Sequence, residues 1–255
     1  MGNGAYTLAD WVVNEQIVVK RNPHYWDNAH TTLDEGVFLA LTTENSDINR
    51  YRSSGTDMTN SVVPPDMFKK LQQALGDEVK VSPLLCTFYY EINNKKALFD
   101  DVRVRSALKL TLDRDIIAQK IMGQGQISAY GLTPPFIHGI SLNTPAWAQQ
   151  TQAQRNAAAK QTQAQRNAAA KQLLAEAGFN AQHPLRFTLL YNTSEQNKRQ
   201  AIAAASMWQK NLGAQVTLQN QEWKTLLETR HQAQFDMVRL GVRITTSHPA
   251  SSICC

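Results

Sequence analysis

Residues 185–219 read LRFTLLYNTSEQNKRQAIAAASMWQKNLGAQVTLQ, and this stretch decides the fold class. Leu185–Tyr191 reads as a strand. Asn192-Thr193-Ser194 follows it, and the side-chain oxygens of such residues accept the free amide protons of a helix start. They cap a helix predicted over Glu195–Leu212, after which Gln215–Gln219 reads as a second strand. Further on, Glu222–His231 reads as a short helix and Phe235–Arg239 as a third strand. Strands and helices alternate, which is the pattern of an α/β lobe.

Working upstream, residues 151–161 and 162–172 carry the same eleven letters, TQAQRNAAAKQ. Eleven residues are about three helical turns and move a helix face by only ~20°, so a helix can absorb such an insertion and keep its contacts. The repeat therefore reads as a tandem in-frame duplication inside a helix over 150–178, inert and solvent-exposed. It lacks large apolar residues, so a coiled-coil role is weak. Gly123–Pro145 is rich in Gly and Pro and reads as a long loop. In residues 101–122, Val102, Ala107, Leu108, Leu110 and Leu112 suit one helix, and Ile116, Ile117 and Ile121 a second, capped by Asp113. Val79–Asn94 is strand-rich. Pro64-Pro65 opens an amphipathic helix with Met67, Phe68, Leu71 and Leu75 on its buried face, and Gly76 ends it. Ala5–Val13 and Gln16–Lys20 read as a hairpin around Asn14-Glu15, a turn without the usual Gly.

The 255 residues are 42% hydrophobic and 18% charged, with a formal net charge of +5. The basic residues are spread thinly, without the dense basic face of a nucleic-acid protein. Cys86 lies in an apolar run, where a thiol is more often a small core group than a nucleophile. The six histidines are scattered, and no zinc spacing, P-loop, G-x-G-x-x-G or G-x-S-x-G occurs. No catalytic residue, cofactor or metal is expected. The opening MGNGAYTLADW lacks the basic start and apolar stretch of a signal peptide. An enzyme recruiting Glu91, Asp100, Asp101 and His231 as acid and base groups has no nucleophile–base spacing behind it. An interaction module built on the Gln- and Ala-rich helix is the other alternative.

Long strings then carry a family resemblance. They are GNGAYTLADWVVNEQIVVKRNPHYWDNA at 2–29, INRYR at 48–52, LCTFYYEINN at 85–94, DVRVRSALKLTLDRDII at 101–117, LLAEAGF at 173–179, LLYNTSE at 189–195 and NQEWKTLLETRHQAQFDMVR at 220–239. Together they resemble the oligopeptide- and murein-peptide-binding proteins that serve ABC importers, the family 5 solute-binding proteins. The resemblance implies a periplasmic binding protein-like (type II) α/β fold of two lobes, present here as an incomplete fragment. Residues 1–100 would be the returning part of the first lobe and 101–239 part of the second, peptide-binding lobe. It also implies short peptides as ligands, an inner-membrane ABC permease as partner, no nucleic acid, and a periplasmic location. Made as written, without a signal peptide, the chain would stay in the cytoplasm.

The family holds peptides through their main chain like an added strand, with a carboxylate at the amino end and cations at the carboxyl end. By resemblance, the peptide-binding residues are Tyr89, Glu91, Trp223, Arg230, His231 and Arg239. Read from the residues alone, Arg230 is equally a helix-end cation and Trp223 a core residue. Tyr89 and Tyr90 alternate along a strand, so one of them faces away from the cleft. Met122 stands where some relatives carry Lys, and Asn197 where some carry His.

Residues 240–255, LGVRITTSHPASSICC, leave the family pattern. Regrouping their permitted codons by one base spells WCADYNEP, the ligand-end motif of the same family. The tail therefore reads as frameshifted. Its Asp, which holds the peptide amine in relatives, and its Cys, which pairs with the counterpart of Cys86, are then both lost.

Overall fold

The computed structural model describes residues 2–41, 43–59, 63–82, 84–134, 152–244 and 251–254, with backbone alone at 152–162, 244 and 251–254. The chain folds as two compact units, Met1–Pro64 and Pro65–Cys255.

In the first unit, β1 (Tyr6–Val12), β2 (Gln16–Arg21) and β3 (Glu35–Leu39) form an antiparallel sheet in that order. The expected hairpin is present. Asn14 takes φ 60°, a left-handed conformation that Asn tolerates, and so stands in for the missing Gly. β3 and the helix α1 (Glu44–Arg52) had no counterpart in the sequence reading. β3 is only five residues long, and ENSDINRYR has no apolar stripe, burying just Asp47 and Ile48. Trp11, Ile17 and Phe38 lie in one cross-strand row, 64%, 38% and 58% exposed.

The second unit opens with α2 (Pro65–Leu75), and Leu71 is its buried anchor. β4 (Cys86–Ile92) begins later than the strand-rich reading of Val79–Asn94 implied. Pro83 in that stretch has no amide proton to give a ladder. A short helix, α3 (Ala97–Asp100), leads to α4 (Val102–Thr111), whose first turn donates the Arg103 amide to the Asp101 carboxylate. The second helix expected here is wound as a π-helix over Ile116–Met122, with Asp113 capping the Ile116 amide as expected. Of the expected long loop, residues 123–134 carry neither helix nor strand, and 135–145 lie outside the described residues.

α5 (Gln152–Glu176) contains the second copy of the repeat whole and the first from Gln152 on. The second copy is not inert, which corrects the expectation for it. Its Ala170 is fully buried, its Gln163 donates to the Leu110 carbonyl, and its Asn167 donates to Asn211. An alanine-rich helix can approach its neighbours closely, so its small side chains serve as packing surface.

β5 (Arg186–Asn192), α6 (Glu195–Leu212) and β6 (Gln215–Gln221) form the strand–helix–strand unit read from the sequence, with β5 and β6 parallel. Ser194 caps α6 by accepting the Asn197 amide, and Gly213 closes it at φ 67°. After α7 (Trp223–His231), β7 (Met237–Ile244) inserts between β4 and β5, and β8 (Ser251–Cys254) pairs with β7, giving a five-stranded sheet. β4, which the resemblance gives to the first lobe, hydrogen-bonds along β7 from Cys86 to Ile92.

β5 separates two cores by side-chain alternation. Phe187, Leu189 and Tyr191 join Val104, Leu108, Ala170, Leu174, Ala204 and Trp208 on the α4–α5–α6 side. Leu190 joins Leu226, Phe235, Val238 and Leu240 on the α7 side. Trp208 fixes α6 to α4 by donating its indole N–H to the Leu108 carbonyl at 3.0 Å. β7 continues past Arg239 with Leu240 buried, because strand pairing is a backbone property and asks of the tail only an apolar residue there. Cys86 is disulfide-bonded, although the sequence does not spell the motif that carries its partner in relatives. β7 carries both β4 and the tail strand β8, in which Cys254 stands opposite Gly241.

Candidate functional site

β4 and β7 run antiparallel, with Tyr89 opposite Leu240, Tyr90 opposite Arg239 and Glu91 opposite Val238. Directly opposed residues share a face and successive residues alternate. The two strands therefore present two chemically different faces, and the six expected site residues divide between them.

On the α7 face, Tyr89 and Trp223 pack against the cluster of Leu190, Leu226, Phe235, Val238 and Leu240. Arg230, in the last turn of α7, reaches Glu91 on β4 with Nη2 at 2.9 Å and Nε at 3.0 Å from Oε2. Each charge satisfies the other, so this half-buried pair presents little net charge. Burial, and then the neighbouring Glu91 carboxylate, raise the Tyr89 hydroxyl above the usual phenol range. His231, next along the chain, is exposed.

On the α6 face the arrangement is different. Arg239 is 1% exposed. Its guanidinium lies over the Phe88 ring, 4.1 Å from the centroid. Nε and Nη2 both donate to the Gln200 Oε1, at 3.3 and 3.1 Å. Nη1 is buried and has no hydrogen-bond partner among the described residues. The same α6 residue is held from two other sides. Its Nε2 donates to the Met122 Sδ at 3.3 Å, and its backbone carbonyl accepts from the Tyr90 hydroxyl at 3.2 Å. Tyr90 is the tyrosine that faces away from α7, stacked edge-on against Trp208. Burial pushes its hydroxyl up to about 12. Burial also pulls Arg239 down from the usual guanidinium range to about 10, leaving it charged at neutral pH. Asn197 sits nearby on α6, buried, with its amide donating to the Asn192 side chain at 2.7 Å.

The structure thus brings Tyr89, Glu91, Trp223 and Arg230 together and places Arg239 on the opposite side of the sheet. Sequence reasoning missed Phe88 and Gln200. Gln200 did carry a signal: the buried stripe of α6 runs through Asn197, Ala201, Ala204 and Trp208, and Gln200 is a second polar residue on that inward side. An isolated buried cation is costly unless something compensates it. Arg239 has a neutral amide and a π-face but no carboxylate among the described residues, and so its end can take an anionic group. Among these residues no three His, Cys, Asp or Glu side chains cluster as a metal site.

The pattern describing the bacterial extracellular solute-binding proteins, family 5 (middle part), matches residues 1–254. The periplasmic oligopeptide-binding protein OppA of Salmonella typhimurium is 53% identical over 249 residues, which are 98% of this chain and 44% of that protein. The crystal structure of Haemophilus influenzae OppA in complex with RPPGFSPFR superposes with a TM-score of 0.82 at 44% identity, over 95% of this chain and 46% of that one. The murein tripeptide binding protein MppA of Escherichia coli gives 0.86 at 42% identity, over 97% of this chain and 46% of that one. The chain spans less than half the length of these relatives.

Proposed function

Because the chain belongs to the bacterial extracellular solute-binding proteins of family 5, we propose that it is the substrate-binding part of a peptide ABC importer. It takes short peptides by their main chain and termini, works beside an inner-membrane ABC permease, and belongs in the periplasm. Its chemistry is capture and release.

The observation that carries this reading is Arg239, a buried guanidinium with an unpartnered Nη1 and no acidic neighbour among the described residues. Such a charge suits the free carboxylate of a peptide or an acidic side chain, since charge-assisted pairs are the strong ones in a desolvated site. Glu91 and Arg230 are occupied with each other. In this reading they line a side-chain pocket with Tyr89 and Trp223, and His231 stands at its rim.

We read residues 240–255 as a shifted frame, and the sequence nowhere spells the DYNEP whose Asp would hold the peptide amine. Leaving that ammonium unpaired costs on the order of 100- to 1,000-fold in affinity. Binding is therefore retained in kind and impaired in strength. Titration calorimetry with tri- and tetrapeptides tests this: saturable binding weaker than micromolar is expected. Micromolar or tighter binding contradicts the impairment. No binding at millimolar peptide overturns the reading in favour of a non-functional remnant.

A further inference from the structure

We infer that Gln200 is a positioning residue for the ligand's anion: it clamps one edge of Arg239 and, by being neutral, leaves the whole charge of that arginine to the ligand. This rests on the peptide reading above and deepens it.

A guanidinium has two hydrogen-bonding edges. One is formed by Nε and one proton of Nη2, the other by Nη1 and the second proton of Nη2. Gln200 Oε1 takes the first edge, receiving Nε at 3.3 Å and Nη2 at 3.1 Å. The Nη1 edge is the one without a partner among the described residues. Gln200 cannot easily rotate away, because its Nε2 is engaged by the Met122 Sδ and its carbonyl by the Tyr90 hydroxyl. The Phe88 ring beneath the guanidinium fixes the plane. Side chain, ring and amide together aim a single edge.

Chemical identity matters as much as geometry. Glutamate at position 200 has nearly the same shape and would receive the same two donors, but it would neutralise Arg239 within the core. The anion would then have to compete with an internal carboxylate. Methionine has similar bulk and accepts almost nothing, which frees the first edge and lets the guanidinium turn.

The test labels arginine with ¹⁵N and follows the Arg239 Nε resonance by NMR while trialanine or trialanine amide is added up to tens of millimolar, a range that detects weak binding. The wild-type chain is expected to respond to the acid at least ~10-fold more tightly than to the amide. In Gln200→Glu and Gln200→Met, each confirmed folded by its melting curve, that preference is expected to fall below about threefold. Gln200→Glu should also shift the resonance in the absence of peptide. Variants that keep the wild-type preference overturn the role of Gln200 alone. A wild-type chain whose resonance ignores both peptides overturns the peptide reading, and this inference with it.

Discussion

Tyr90 and Arg239 face each other across β4 and β7, and burial drives their protonation equilibria in opposite senses. Folded Tyr90 keeps its proton to about 12, while an unfolded tyrosine loses it near 10.0. Its contribution to stability is therefore full below pH 10 and is lost as pH rises towards 12. Arg239 does the reverse: the unfolded chain holds that proton through the usual guanidinium range, and the folded chain releases it from about 10. Its burial penalty shrinks over the same window. Tyr90→Phe removes only the first effect. Urea unfolding at pH 9 and pH 11.5 should show the variant gaining on the wild type by on the order of 2 kcal/mol between the two. An unchanged difference would contradict the burial of a neutral phenol here. At this scale the sequence named candidate residues without their arrangement. Arg239 on β7 faces the α6 side of the sheet, while Arg230 reaches Glu91 from α7 on the other side. The acceptor that defines the Arg239 site, Gln200, belongs to a distant segment that only the folded chain brings near.

At the scale of the element, residues 151–161 and 162–172 carry the same eleven letters. Removing one eleven-residue copy from α5 would place Ala159 where Ala170 is, with its face turned by only ~20°. The shortened chain is expected to keep its cooperative melt, within about 5 °C of the parent, and to lose helical circular dichroism equivalent to eleven residues. A collapse of the melt would mean that the added length makes contacts the second copy cannot replace. Elements with a strong pattern were legible: β5, α6 and β6 from the strand–cap–helix–strand order, and α2 from its Pro start and apolar stripe. Elements without one were not. α1 is polar almost throughout, β3 is short, and the π-winding of Ile116–Met122 leaves the same apolar letters as an α-helix.

For the molecule as a whole, the first unit presents Trp11, Ile17 and Phe38 as a row of exposed apolar side chains on a small sheet. Such a face drives association. Sedimentation of the purified chain should show concentration-dependent oligomers that Trp11→Thr with Phe38→Thr reduces, and a strictly monomeric wild type would contradict this. The fold class was legible because alternation and long family strings agree over most of the chain. How the ligand's charge is met was not, because it depends on side chains 39 residues apart on α6 and β7. The most direct measurement is calorimetry of the wild-type chain at pH 7 and low salt, with trialanine and trialanine amide side by side. A peptide carboxylate on the free edge of Arg239 predicts at least ~10-fold tighter binding of the acid, a preference that weakens with salt. Equal affinity for the two would contradict it.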